Sequence, residues 1–413
     1  MQESPQAVLN EICGSIGWDT HAMKFASERM RSLLRTLEVI DVDVYTPATL
    51  VADFATLVAT YTDGFKLIIE PYDSRYPEIQ DPQMELACLD ASIAIKPVLD
   101  RFQSVILTSG TIAVKENLYP QILHFTPVTS RSFKNSFTGR CKVCPIIVSM
   151  GTDQVAMTSQ YKARKDKAVV QNFFLLLKAM AEIVPDGIVC FFVSYISMDQ
   201  IVTSWYKDGR LKQLLEKKLI FIETPDMVES SVALRNYRLA CDSGRGAIFL
   251  SVARGKVAEG VDFEKHYGRA VLMFGVPYQY TESLTLRARL DYTRDKYRIR
   301  ENDFLTFDAL RQASQCVGRV IRSKNDYGIM IFADERYTKL DKKSKLPQWI
   351  LDAMPNEHVG VDTRQARAIV KRFLADMALP EPRPGAKSDV QSLSARAAKR
   401  AAGPELVQRT GAM

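Results

Sequence analysis

The chain has 413 residues, 46% hydrophobic and 25% charged, a balance ordinary for globular protein and large enough to build a core without disulfides or a metal. Its formal net charge of +7 is a mild basic bias that fits a nucleic-acid partner and fits a plain solvated surface equally well. No run reads as the ~18–20 apolar residues that span a membrane, the polar first ten residues with their proline do not read as a signal or transit peptide, and seven scattered cysteines suit a reducing compartment.

Residues 21–38 predict an amphipathic helix, with Met23, Ala26, Met30, Leu33, Leu34 and Leu37 on one face. Thr46-Pro47 predicts the start of a second, Thr capping and Pro in the first turn, and Asp63-Gly64 stops it. Phe65–Glu70 is the first clear strand, and Ser104–Thr108 reads as a short one running into Thr108-Ser109-Gly110-Thr111. The Pro- and Ser/Thr-rich stretch to Gly139 reads as a linker or loop.

Strands follow at Pro145–Ser149, Gly187–Val193, Leu219–Glu223, Ala247–Val252, Ala270–Gly275 and Gly328–Ala333. Helical patterns at Lys167–Ile183, Met198–Lys207, Ser230–Cys241, Ser283–Arg298 and Thr306–Arg322 separate most of them. Short apolar strands alternating with helices predict a buried parallel sheet covered on both faces, with its ligand edge at the C-terminal ends of the strands. The tail after Leu379, rich in Pro, Ala, Arg, Lys and Ser, reads as disordered.

The segment Gln315-Cys316-Val317-Gly318-Arg319-Val320-Ile321-Arg322 carries the strongest chemical signal. Read as one helix, it buries Leu310, Ala313, Val317 and Ile321 and puts Gln315, Arg319 and Arg322 on the opposite face, with Arg311 extending the row. Two planar guanidiniums beside an amide suit a polyphosphate. Gly318 leaves room for another surface, and the plain alternative is a solvated basic face. The arginines are expected to face an interlobe groove on the C-terminal rim of the sheet, and side chains packed away from such a groove or turned off the rim would count against the motor reading.

A second segment, Ser251 to Phe263, leaves the strand Ala247–Val252 directly. Gly255 and Gly260 widen the backbone's options, Arg254 and Lys256 can meet phosphates, and Glu259 and Asp262 can orient a ribose, a water or an arginine. An ordinary glycine turn with solvated charges is the alternative.

Gly255-Lys256 is not a P-loop, because Leu250 stands where the loop needs its first glycine and Val257 where it needs Ser or Thr. Asp334-Glu335 is followed by Arg336 and Tyr337, so no acidic Asp-Glu-x-His motif is present either. Parts that grip magnesium and polarise an attacking water are missing from this sequence. Cys141 and Cys144 have metal spacing with no second pair, so no metal ligands are assigned. Neither the four histidines nor Ser109 and Ser194 fall into a recognisable catalytic triad.

On these residues, together with Phe191–Tyr195, Gly268–Tyr280 and Arg300–Asp308, the sequence resembles the XPD family of iron–sulfur superfamily-two DNA helicases over about residues 1–375. The resemblance implies an α/β fold: a RecA-like parallel-sheet lobe, the second motor domain, preceded by a helical remnant of the arch domain and the closing segment of the first lobe. In that scheme residues 1–64 close the arch domain, 65–118 close the first RecA-like lobe, 119–379 form the second lobe, and 380–413 are a disordered basic tail.

The resemblance also implies roles. Arg319 and Arg322 act as arginine fingers and Gln315 senses the γ-phosphate. Glu259, Gly260 and Asp262 couple nucleotide state to DNA grip, Gly318 joins them as a nucleotide-coupling residue, and Thr108–Thr111 (Thr108, Ser109, Gly110, Thr111) links hydrolysis to lobe movement. Ser194, Tyr195, Arg254 and Lys256 are weaker candidates for a DNA track. ATP and Mg²⁺ would be held mainly by a first lobe whose P-loop, acidic motif and four 4Fe-4S cysteines lie upstream of Met1.

The implied function is a 5′-to-3′ DNA helicase acting on single-stranded DNA in the nucleus, within the transcription and repair factor TFIIH, in nucleotide excision repair and transcription initiation. Its second lobe would dock on a TFIIH subunit with a von Willebrand A-type domain, and no membrane is involved. The chain alone is expected to be inactive. The alternative expectation is a non-catalytic short form that binds a TFIIH partner or DNA.

Overall fold

The computed structural model describes residues 2–17, 19–70, 83–110, 118–131, 142–163, 166–322 and 326–379. Thr111, Cys141 and the tail 380–413 lie outside the described residues.

The chain opens with β1 (Gln2–Glu3), α1 (Pro5–Ile16), α2 (Thr20–Lys24), α3 (Ala26–Thr36) and α4 (Thr46–Thr60). Ser4 starts α1 by accepting a bond from the Ala7 amide, Pro5 fits its first turn, and Gly17 at φ 70° ends it. Then come β2 (Phe65–Glu70), β3 (Gln83–Cys88), α5 (Ala91–Arg101) and α6 (Leu118–Ile122).

The alternating part runs β4 (Val143–Val148), α7 (Lys167–Ala181), β5 (Gly187–Phe192), α8 (Tyr195–Lys207), α9 (Arg210–Leu215), β6 (Leu219–Ile222), α10 (Met227–Asp242), β7 (Ala247–Val252) and α11 (Lys256–Gly260). It continues with β8 (Ala270–Phe274), α12 (Leu284–Tyr297), α13 (Glu301–Val317), β9 (Gly328–Ala333), α14 (Leu340–Lys343), α15 (Gln348–Asp352), β10 (Val359–Val361) and α16 (Thr363–Ala378).

These elements form two compact units. The first comprises Met1–Ser132, Val276–Gln315 and Leu340–Pro347. Its sheet is antiparallel, β1-β2-β3, with Phe65 opposite Cys88 and Glu70 opposite Gln83. Leu9, Met23, Val58, Ala59 and Leu67 form one core cluster. Ile68, Ala87 and Leu89 pack with Ala288 of α12 on the other side.

The second unit comprises Phe133–Gly275, Cys316–Lys339 and Gln348–Met413. It holds a seven-stranded sheet in the order β10-β4-β9-β8-β5-β7-β6, parallel at every pairing. Strands β4, β5, β7, β8 and β9 are buried along their whole length, which is why they read as unbroken apolar runs. Phe173, Phe174, Leu177, Trp205, Ile248, Phe274 and Val370 lie in one continuous core. This is the expected α/β parallel-sheet lobe of the RecA-like kind.

Several local expectations are corrected. Residues 21–38 are not one helix, because the chain breaks at Phe25 between α2 and α3 and the helix stops at Thr36. Thr46 is the first residue of α4 rather than its cap, since a 3₁₀ turn over Val42–Tyr45 delivers the chain already wound. Val42–Thr60 also reaches, by length and a mean hydropathy of 1.2, what crossing a membrane requires, contrary to the reading that no run does. Inside that span Asp53 pairs with Arg31, and Val58 and Ala59 enter the core.

Ser104–Thr108 forms no strand. A strand needs a partner ladder, none is paired with it among the described residues, and Ile106 is 89% exposed. Periodicity missed α1, α5, α16 and the antiparallel partners β1 and β3, whose sequences are polar or short.

Candidate functional site

β5, β6 and β7 run side by side and parallel, so the residues that follow them gather on one C-terminal rim. After β7 the chain passes through Ala253, Arg254 and Gly255 into the single short turn of α11. Gly255 is fixed by space: a Cβ there would stand 2.6 Å from Glu223 Oε1.

Glu223, the residue after β6, is 1% exposed. Charged residues are almost never this buried unless their groups are bonded. Its Oε1 accepts from the Tyr195 hydroxyl at 2.9 Å and the Val257 amide at 3.2 Å. Its Oε2 accepts from Ser251 Oγ at 2.5 Å and the Val252 amide at 3.2 Å. The apolar pattern alone extends the strand through Glu223 and assigns that residue no role. The available signal was an acid closing the apolar run Leu219–Ile222 at the ligand edge of a parallel sheet.

α11 ends at Gly260, where a Cβ would meet only open space, and Val261 turns extended. Asp262 is thereby presented half-exposed. Two arginines come to it. Arg319 donates from Nη1 to Asp262 Oδ1 at 3.0 Å and from Nη2 to the Glu259 carbonyl at 2.9 Å. Arg322 donates from Nη2 to the same Asp262 oxygen. Two guanidiniums against one carboxylate leave one positive charge in this trio, a local preference for a further anion.

The arginine segment is not one helix. α13 ends at Val317, Gly318–Val320 is a 3₁₀ turn, and Ile321 is extended. The row that an α-helix would have made is therefore broken. Gln315, half-buried, stays in the last turn of α13, while Arg319 and Arg322 are brought together by Asp262 rather than by helical spacing. Leu310, Ala313 and Val317 are fully buried as expected, and Arg311 pairs with Asp308.

The arginines do not stand on the C-terminal rim. A Cβ on Gly328, the first residue of β9, would meet Val320 at 2.6 Å, and the Arg322 amide donates to Asp326 just before that strand. The turn thus hangs at the entry of β9, and Phe263, packed against Phe249 and Tyr237, carries the Asp262 segment away from the rim. Cys316 ties the end of α13 back to β7, its thiol 3.6 Å from the Ala253 carbonyl. Burial pushes that thiol up to about 12, so it stays neutral.

The weaker candidates have structural partners. Ser194 caps α8 by accepting from the Ser197 amide, Tyr195 is bonded to Glu223, and Lys256 reaches the Pro225 carbonyl. Burial, then the Glu223 charge, pushes the Tyr195 phenol well above its ordinary range, so it remains a donor. Arg254 is half-buried. Gly318 has Trp349 Cζ2 4.0 Å from where its Cβ would be. Thr108, Ser109 and Gly110 are exposed residues of the first unit. Among the described residues no three His, Cys, Asp or Glu side chains are grouped to hold a metal, so they offer no ligand set for an iron–sulfur cluster. Cys144 is buried in β4.

Residues 177–353 match the Helicase C-terminal domain family, and residues 1–64 match the Helical and beta-bridge domain. The General transcription and DNA repair factor IIH helicase subunit XPD of Arabidopsis thaliana is 55% identical over 384 residues, covering 93% of this chain and 50% of the relative. Its counterpart in Dictyostelium discoideum is 50% identical over 380 residues, covering 92% and 49%. A solved XPD helicase structure is similar at a TM-score of 0.51 and 19% identity, covering 74% of this chain and 50% of that one, a likeness of fold. The chain spans about half the length of the curated relatives it matches. Along nine-tenths of its length this chain matches the C-terminal half of superfamily-two helicases of the XPD family.

Proposed function

We propose that this chain carries the second motor lobe of an ATP-dependent 5′-to-3′ DNA helicase of the XPD type. It works in the nucleus within TFIIH, in nucleotide excision repair and transcription initiation, and docks on the subunit with a von Willebrand A-type domain. Residues 1–64 close an arch domain, 65–118 close a first lobe, 119–379 make the second lobe, and 380–413 are a basic tail.

The observation that carries the reading is the convergence of Arg319 and Arg322 on Asp262, within a segment that begins at the rim of the parallel sheet. Such a pair, carried into a cleft, meets the charge that develops on a transferring phosphoryl group. The expected place on the C-terminal rim is not found, so the finger role is supported by the paired guanidiniums and by the family match and not by that placement. ATP and Mg²⁺ would be bound mainly by a P-loop-bearing lobe, since this sequence has no P-loop. Gln315 would read the γ-phosphate. Glu259, Gly260 and Asp262, with Gly318, would couple nucleotide state to DNA grip, and Thr108–Thr111 would link hydrolysis to lobe movement. Ser194, Tyr195, Arg254 and Lys256 would line the DNA track.

The test is ATPase activity with and without single-stranded DNA. The 413-residue chain alone is expected to be inactive, and turnover is expected once a P-loop-bearing half of the same family is supplied. DNA-stimulated turnover by the purified chain alone would sink the reading.

A further inference from the structure

We infer that Glu223 is a positioning residue that ties the strand-facing segment at Tyr195 to the nucleotide-coupling segment that starts at Gly255, so that the two move as one piece. The inference rests on the helicase reading above and names the residue that joins its two halves.

Four donors from three elements end on this one buried carboxylate: the Tyr195 hydroxyl at the start of α8, Ser251 Oγ and the Val252 amide at the end of β7, and the Val257 amide in α11. The sheet itself does not need it. β6 already pairs with β7 from Leu219 opposite Ala247 to Ile222 opposite Leu250, and the Glu223 amide continues that ladder to the Leu250 carbonyl.

What the side chain adds is a bridge between loops after three different strands. A carboxylate accepts on two oxygens and can satisfy all four donors. A glutamine of the same size has one accepting oxygen and turns an N–H₂ toward the others, so it breaks the tie on one side. The space that Gly255 leaves is filled by this carboxylate, so the glycine segment is shaped around it. A displacement of Tyr195 by bound DNA would therefore be passed through a rigid hydrogen-bonded unit to Val257, and along α11 to Asp262 and the arginines it holds.

The experiment uses the complete enzyme, this chain together with its P-loop-bearing half, and measures ATP turnover with and without a single-stranded DNA oligonucleotide. Glu223→Gln is expected to keep DNA-free turnover while the stimulation by DNA falls at least about fivefold, the low end of ordinary coupling between sites. Ser251→Ala, which removes one donor, shifts the stimulation in the same direction by less. Parallel loss of DNA-free and DNA-stimulated turnover in Glu223→Gln means a merely structural residue and overturns the inference. If Glu223→Gln does not fold, unchanged stimulation in Ser251→Ala overturns it. Full stimulation in the wild type and in both variants rejects the tie alone, whereas a wild-type enzyme that DNA does not stimulate rejects the helicase reading and the tie with it.

Discussion

Arg319 and Asp262 lie 57 residues apart in sequence and are joined by a 3.0 Å bond from Nη1 to Oδ1, on an oxygen that also receives Arg322. One half-exposed carboxylate thus holds the arginine pair and sets where the pair points.

Replacing Arg322 by Ala should lower ATP turnover of the complete enzyme by at least ~10²-fold if it meets the transferring phosphoryl group. Its side chain is 41% exposed, so the lobe's stability should change by less than about 1 kcal/mol. Turnover and a thermal melt of the same sample separate the two; near-normal turnover would reduce Arg322 to a surface arginine.

Asp262→Ala removes the carboxylate that Arg319 and Arg322 share, leaves Arg319 its bond to the Glu259 carbonyl, and should impair turnover through misplacement of the pair. Because the two residues act through one contact, Asp262→Ala with Arg322→Ala should cost clearly less than the sum of the single changes. Strict additivity in the four-member comparison of rates would show that the contact has no part in catalysis.

The two glycines of the site should behave oppositely. Gly255→Ala forces a Cβ to within 2.6 Å of the buried Glu223 carboxylate and should destabilise the second unit by about 1–3 kcal/mol. Gly318→Ala places its Cβ 4.0 Å from Trp349, an ordinary contact, and should stay within about 0.5 kcal/mol of the wild type. Denaturant unfolding followed by tryptophan fluorescence reads both, and equal effects would contradict the packing.

In the first unit, Asp90 is buried and accepts bonds from Ser92, Tyr292, Lys296 and Tyr297. Burial opposes its ionisation, but the bonds from Lys296, Ser92 and Tyr297 outweigh it and hold the carboxyl well below its ordinary 3.8. A depressed carboxyl stabilises the fold above its unfolded value and loses that contribution as pH falls through the folded one. Asp90→Ala should therefore cost about 2–4 kcal/mol at pH 7, and progressively less as the medium is acidified below 3.8. Urea midpoints at neutral and acid pH check it; a cost independent of pH would show that the charge contributes nothing.

The parallel lobe is written in the order of residues along the chain. β7 and β9 occupy the ranges read from their apolar runs, because a strand buried on both faces must be apolar along its whole length, and that pattern is local. That order also singled out the glycine segment and the two arginines, whose residue types at that spacing are rarely an accident of composition. It did not determine how the arginines meet. Helical spacing predicted a shared face, but the helix stops at Val317, and a carboxylate distant in sequence brings Arg319 and Arg322 together. Nor could it recognise Glu223, whose importance lies in donors from three separate elements. Ser104–Thr108 failed for the same reason, since apolar residues make a strand only where a partner's amides and carbonyls lie alongside. Pattern along the chain fixes which face is buried, whereas hydrogen bonds between residues far apart in sequence exist only once the tertiary structure has set their distance and direction.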